Sequence, residues 1–133
     1  MNYFDTFIEV ADDCPAQIAS VPESKGGEKT IPVLQYEMIA YHPYQYTQED
    51  VLFETYAENK RIPLANRSME RQRFFSKGQP CLRSSSLGKR YGWGIHSDSN
   101  GKVALFAVET EDYQRLVGDT TLKHLKAMRS KRA

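Results

Sequence analysis

Residues 91–108 read YGWGIHSDSNGKVALFAV and predict a β-hairpin. Two runs rich in aromatic and branched side chains, 91–96 and 103–108, flank the polar segment Asp98-Ser99-Asn100-Gly101. Asn-Gly between two such runs is a strong hairpin signal, because both turn residues accept positive φ. The segment therefore predicts two antiparallel strands joined by a tight turn.

The two faces of this hairpin are expected to differ in bulk. If Asn100-Gly101 is a two-residue turn, Ile95 lies opposite Phe106 on a core face that also carries Trp93, because side chains alternate along a strand. Gly94 then lies on the other face, opposite Ala107. An odd-length loop would change this assignment.

The face that carries Gly92, Gly94 and His96 forms a shallow trough with nearly bare backbone. Glycine inside a strand often marks a close approach by a ligand or by another backbone. Two interpretations stay open. A helix of the protein packs into the trough, or the trough is a pocket floored by Gly92 and Gly94 in which His96 is a catalytic acid or base or a ligand anchor.

The first half of the chain predicts one strand and two helices. Phe4–Val10 alternates like a strand. The segment from Thr30 to the His42-Pro43 boundary has helical spacing, with a strand as the alternative. Thr47-Gln48-Glu49-Asp50 resembles a capping box at the start of a helix.

The second half adds shorter helices. A basic segment, Ser68–Lys77, predicts a third short helix. Thr110 is expected to cap a helix over Glu111–Val117 that ends at Gly118. Leu122, Leu125 and Met128 recur every third residue, which favours a short amphipathic helix.

These elements predict one α+β domain over residues 1–133. A small, mainly antiparallel sheet includes the 91–108 hairpin and Tyr3–Val10, with three to five helices packed on it. The elements do not alternate as clean βαβ units, so no doubly wound parallel sheet is expected.

Composition points to an ordinary globular protein. The chain has 133 residues, 40% of them hydrophobic and 26% charged, and no apolar run long enough to span a membrane. The N-terminus lacks a secretory signal, and the two cysteines have neither disulfide nor metal spacing, so we expect a cytoplasmic protein with reduced thiols. The scattered histidines form no zinc motif, and no cofactor or metal is predicted.

The net charge of +1 hides an asymmetry between the two halves. Residues 1–58 hold eleven acids and two bases, whereas residues 59–133 hold six acids and sixteen bases. Either the halves fold against each other and neutralise these charges, or an open positive face attracts an anionic ligand, a phosphate-containing molecule, nucleic acid or an acidic protein partner. The basic residues of 67–90 and of the C-terminal tail would form that face. A homodimer through the tyrosine-rich run 41–46 or through the C-terminal helix is a third possibility.

The segment 81–90, CLRSSSLGKR, holds most of the candidate site residues. Its hydroxyl groups and cations predict an anion site that also involves the hairpin glycines and Trp93. The segment lacks a P-loop pattern, and a serine-capped helix start is the alternative. If the protein is an enzyme, we expect His96 as acid or base and Cys81 as nucleophile, since basic residues follow this cysteine. The anion-binding candidates are Arg83, Ser84, Ser85, Lys89, Arg90, Gly92, Trp93 and Gly94.

The chain resembles a known family at residues 89–96, KRYGWGIH, and at residues 126–132, KAMRSKR. Further similar segments are 6–11, 34–38, 50–54 and 78–83. The family consists of small, mostly microbial proteins catalogued only as a domain of unknown function, number 6157 of that catalogue. The resemblance implies a single-domain protein and brings no established activity, cofactor or catalytic residue.

Overall fold

The protein is an α+β domain built on one four-stranded sheet. The computed structural model describes residues 2–131. In that range it contains four strands, β1 (Thr6–Glu9), β2 (Trp93–Ser97), β3 (Val103–Ala107) and β4 (Lys123–Lys126), and five helices, α1 (Ile31–Ala40), α2 (Gln48–Asn59), α3 (Arg67–Phe75), α4 (Ser86–Lys89) and α5 (Glu111–Val117). Two 3-10 turns, Leu64–Asn66 and Leu82–Ser84, precede α3 and α4. Over residues 2–131, every helix is too short or too polar to cross a membrane.

The sheet has the strand order β3-β2-β1-β4. β1 pairs antiparallel with β2, and β2 pairs antiparallel with β3. β4 runs parallel to β1 at the edge, with Thr6 beside Lys123 and Glu9 beside Lys126. The predicted hairpin and the predicted N-terminal strand are therefore confirmed, in one mainly antiparallel sheet.

The register of the hairpin differs from the prediction by one residue. Ser97 pairs with Val103, so the loop 98–102 holds an odd number of residues instead of two. The Asp98 carboxylate accepts hydrogen bonds from the backbone N–H groups of Asn100 and Lys102, both at 2.9 Å, and this wider turn replaces the Asn-Gly turn. Gly101 still has the positive φ, +78°, that its place in the turn requires.

Because side chains alternate, this shift changes every cross-strand partner. Ile95 lies opposite Leu105 instead of Phe106, and Gly94 lies opposite Phe106 instead of Ala107. His96 shares its face with Gly94 and lies opposite Ala104. The predicted pairs are wrong, although the division of β2 into two faces is unchanged.

The trough over Gly94 is filled by the protein's own aromatic rings. A Cβ atom at Gly94 would lie 2.6 Å from Phe7 Cζ and 2.7 Å from Tyr113 Cε2. The two rings pack edge to face with centroids 5.1 Å apart, and the Tyr113 hydroxyl accepts a hydrogen bond from the Val10 N–H at 3.0 Å. The predicted pocket at Gly94 is therefore wrong: the glycine gives room to a helix side chain, which was the alternative interpretation.

The main core lies on the opposite face of the sheet. Ile8 and Ile95 from the strands pack there with Ile39 of α1, Val51 of α2 and Leu87 of α4, all 1% exposed or less. α5 covers the other face through Tyr113. The sheet is thus a middle layer, and its helices lie on both sides.

The helices predicted between residues 30 and 118 are confirmed, and the strand alternative at Thr30–His42 is wrong. Thr47 and Asp50 form a reciprocal capping box at the start of α2, with bonds of 3.0 and 3.2 Å. Thr110 caps α5 through the Tyr113 N–H. These two helix starts follow local sequence signals.

The predicted C-terminal helix is wrong, because residues 123–126 form β4. Their spacing of apolar residues fits a helix, but the open edge of β1 offers backbone groups that need partners. The Lys123 N–H donates to Asp5 O and the Ala127 N–H donates to Glu9 O, both at 2.8 Å. Lysines at an edge strand also protect it from pairing with another sheet.

Replacing Gly94 with alanine should destabilise the fold by about 1–3 kcal/mol, because the added methyl group must displace Phe7 or Tyr113. Urea denaturation measures the loss. Gly78→Ala is the matched control, since a Cβ there meets no atom within 4 Å, and it should change stability by less than about 0.5 kcal/mol. A Gly94→Ala protein as stable as the control would contradict the close contact.

Candidate functional site

Two basic stretches that are far apart in sequence meet beside the C-terminal end of β4. The Met128 N–H donates to Arg83 O at 2.7 Å, and Arg83 Nε donates to Lys126 O at 2.8 Å. The Ser84 hydroxyl lies 3.1 Å from Met128 Sδ. The 3-10 turn Leu82–Ser84 and the chain after β4 therefore form one continuous surface.

Further cations adjoin this junction. Gly88 packs against Ala127, where a Cβ at Gly88 would come within 2.9 Å of the alanine methyl, and Lys89 follows Gly88 directly. Arg129 and Lys131 continue the chain beyond Met128. We call this set the basic surface; it consists of Arg83, Lys89, Lys126, Arg129 and Lys131.

The basic surface carries an excess of positive charge. Within residues 2–131, Lys126 is its one member with an ion pair, at 2.7 Å from Asp12. Asp13 accepts hydrogen bonds from the N–H groups of Lys131 at 2.9 Å and Ser130 at 3.2 Å. The Lys131 N–H, with help from Ser130 and from the charge of Arg129, lowers the pKa of Asp13 and keeps it ionised. Asp13 thereby anchors the tail, and the five cations of the basic surface outnumber the nearby carboxylates of Glu9, Asp12 and Asp13.

The α3 part of the basic segment is neutralised, as the pairing interpretation predicted. Arg67 bonds to Glu54 at 3.0 Å and to Glu58 at 2.9 Å, and its Nε donates to Ile62 O. Arg71 bonds to Asp50 at 3.0 Å. The prediction of one basic face over residues 67–90 is therefore wrong for α3, where Arg67 and Arg71 bond to α2 and Arg73 pairs with Glu70 of α3 itself.

The predicted hydroxyl groups are occupied inside the protein. Ser85 is 6% exposed, caps α4 by accepting from the Leu87 N–H, and donates to Gln35 Oε1 at 2.6 Å. Ser84 is half-buried and faces Met128. The alternative of a serine-capped helix start is thus confirmed at Ser85.

The remaining basic candidates of the segment 81–90 are Lys89 and Arg90, at the end of α4. Arg90 is exposed at the C-terminus of α4, and neither it nor Lys89 has an ion pair among the described residues. Arg132, part of the predicted basic tail, lies outside the described residues.

The other hairpin candidates, Gly92 and Trp93, are in contact with neighbouring parts of the chain. A Cβ at Gly92 would lie 3.1 Å from Ala19 Cα and 3.2 Å from Ala16 Cβ, so the loop 16–20 covers this glycine. Trp93 packs on Tyr36 and donates from Nε1 to Ser20 O at 2.8 Å. The predicted pocket over Gly92 and Gly94 is closed.

His96 is separated in its contacts from the other candidate catalytic groups. Its Nδ1 lies 2.8 Å from the Tyr44 hydroxyl, and Phe106 packs beside the ring. Cys81 instead accepts from the Tyr3 hydroxyl at 3.3 Å, and no hydrogen bond among residues 2–131 links it to His96. Burial lowers the pKa of His96, against the opposing charges of Asp98, Asp119 and Asp5.

A cleft between α1 and α2 was not predicted. It has a volume of ≈ 630 Å³ and is lined by Glu37, Asp50, Glu54 and Glu58 together with aromatic side chains. The sequence carried one signal of this acidic lining: three of these acids lie four residues apart and so share one face of α2. Each carboxylate has a cationic partner, with Lys29 bonded to Glu37 at 2.7 Å. Among the residues described, no group of three or more His, Cys, Asp or Glu side chains is placed to hold a metal ion.

Arg67→Gln should lower the free energy of unfolding by about 1–2 kcal/mol, because it leaves Glu54, Glu58 and Ile62 O without their donor. Arg73→Gln, at an exposed arginine, should cost less than about 0.5 kcal/mol. Urea denaturation compares the two. Equal, negligible losses would show that the α2–α3 ion pairs do not hold α3.

His96 should make the protein less stable in mild acid. Its pKa is lowered in the folded state, so the unfolded chain takes up a proton first as pH falls below about 6.5. The stabilisation is present above that pH and is lost between the unfolded and folded pKa values. Urea midpoints at about pH 7 and about pH 5.5 should differ less in His96→Gln than in the unchanged protein, with His42→Gln as control. If the urea midpoints of the unchanged protein, His96→Gln and His42→Gln changed equally with pH, His96 would not be the source of the acid sensitivity.

Comparison with known proteins gives a family but no activity. No curated protein and no solved structure matches the chain. One family model matches residues 1–133, the whole chain, which agrees with the resemblance at residues 89–96 and 126–132. The chain belongs to the family of unknown function DUF6157.

Proposed function

We propose that the protein is a non-catalytic binding protein whose basic surface takes a phosphate-bearing partner. The observation that supports this proposal is the junction between Arg83 and Met128, at 2.7 Å, which gathers cations from two distant parts of the chain. Arg67 and Arg71 of α3 are paired with acids of α2, whereas Arg83, Lys89, Arg129 and Lys131 have no ion pair within residues 2–131.

The guanidinium group of Arg83 is suited to bind an anion. Its guanidinium uses Nε to hold Lys126 O, and within residues 2–131 its two terminal nitrogens have no hydrogen-bond partner. That bond fixes the orientation of the planar group, and the free edge can donate to two oxygens of a phosphate. The backbone bonds of the junction hold the group in place before a ligand arrives.

The surrounding cations add attraction over a longer range. Lys89 follows the Gly88 that packs on Ala127, and Arg129 and Lys131 follow Met128 in the chain, so their charges adjoin the junction. Charges of one sign raise the local concentration of an oppositely charged partner. Asp12 and Asp13 reduce this field without cancelling it. Binding should therefore be strong at low salt and weak at high salt.

The test is a variant that removes three cations without touching the junction. Lys89→Gln, Arg129→Gln and Lys131→Gln are combined, because their side chains have no ion pair among the described residues. The combination Lys25→Gln, Lys60→Gln and Lys77→Gln is the control, with the same change of charge at exposed lysines elsewhere.

Retention on heparin and binding to a labelled DNA duplex are measured against salt. If each removed cation contacts a phosphate, the slope of log K against log salt should fall by about 0.9 per contact in the first variant and remain unchanged in the control. Equal losses in both variants would indicate a general charge effect and contradict the proposal. No retention of the unchanged protein at low salt would also contradict it.

A further inference from the structure

A small pocket lies between the first turn of α1 and the segment that leads into α4. Its volume is ≈ 290 Å³, near the lower end of roughly 300 Å³ for pockets that hold small organic ligands. Ile31, Pro32, Phe74 and Pro80 give it apolar walls. The pocket therefore suits a small molecule with an apolar body.

Gln35 supplies an unused hydrogen-bond donor at this pocket. Its side chain lines the pocket, and the residue is only 5% exposed. Ser85 Oγ accepts from the Leu87 N–H at 3.1 Å, so its own hydrogen is donated to Gln35 Oε1 at 2.6 Å. This bond leaves Gln35 Nε2 for another acceptor.

The amide nitrogen of Gln35 opens onto the pocket. Within residues 2–131, Nε2 has no hydrogen-bond partner, whereas every fully buried side-chain nitrogen and oxygen atom in that range has one. Nε2 therefore keeps access to the space that Gln35 lines. The neighbouring Gln79 is not equivalent, because its Nε2 already donates to Phe74 O at 2.7 Å.

The start of α1 favours a ligand oxygen in this pocket, and the Cys81 thiol lies close by. The first turn of α1 has no side-chain cap from Thr30 and no acidic residue, so the positive end of the helix is not neutralised there. The thiol of Cys81 lies in the wall of the same pocket and accepts a hydrogen bond from the Tyr3 hydroxyl at 3.3 Å.

We propose that this pocket binds small carbonyl compounds, with Gln35 Nε2 donating to the carbonyl oxygen, and that Cys81 adds to those that are α,β-unsaturated. In the addition, a bond forms between Cys81 Sγ and the β-carbon, and the π bond between the α- and β-carbons breaks. The thiol proton ends on the α-carbon, so no oxidant or reductant is needed. Neither Gln35 nor Cys81 belongs to the basic surface, so each proposal is tested on its own residues.

Acrylamide is the probe for this site, and methyl methanethiosulfonate is the reference reagent that lacks a carbonyl group. Gln35→Glu keeps the acceptor for Ser85 and removes the amide donor. The rate of acrylamide alkylation at Cys81, relative to its rate with the reference reagent, should fall about fivefold, as expected for the loss of one hydrogen bond. Peptide mass spectrometry measures both rates, with Cys14 as internal control and Gln114→Glu, at an exposed residue of α5, as charge-matched control.

A second measurement uses the unchanged protein and does not depend on the folding of a variant. Propionamide carries the same carbonyl group but no double bond, so it should bind and slow modification of Cys81 by methyl methanethiosulfonate while leaving Cys14 unaffected. An unchanged ratio of rates in folded Gln35→Glu would overturn the proposal. Equal rates at Cys81 with and without saturating propionamide would overturn it as well.

Discussion

The backbone pairing of β4 with β1 is the constraint on which the rest of the arrangement depends. β1 lies inside the sheet, and its second edge is satisfied only by the chain at 123–127. The bonds from Lys123 to Asp5 and from Ala127 to Glu9, both 2.8 Å, fix the direction in which the chain leaves the sheet. That direction brings Met128 to Arg83, so the basic surface is a consequence of strand pairing and not of a local motif.

The positively charged residues of the second half of the chain, 59–133, have two different roles in this fold. In α3, Arg67 and Arg71 are bonded to acids of α2, where partly buried ion pairs position one helix on another. Around Arg83 the cations lie on short elements and on the chain after β4, where Asp12 and Asp13 bond to Lys126 and to the tail. An almost neutral chain can in this way present one strongly basic region.

Signals that act within a few residues were predictable from the sequence, and those that depend on distant partners were not. The capping box of Thr47 and Asp50 and the strands of the hairpin are local features, and both are present. The hairpin register depended on Asp98, whose side chain bonds within the loop and widens it. The strand β4 has a helical pattern of apolar residues, and only the open edge of β1 makes it a strand. For the candidate site, the excess of charge was visible in the sequence, but its division between α3 and the junction required the ion pairs.

An NMR titration with inorganic tripolyphosphate locates the anion site of the basic surface, because backbone amide shifts respond to a bound anion without any substitution. We expect the shifts to concentrate at residues 83–89 and 126–131 and to leave α3 and the α1–α2 cleft unchanged. Shifts centred on Arg67–Phe75, or none at any residue at low salt, would contradict it.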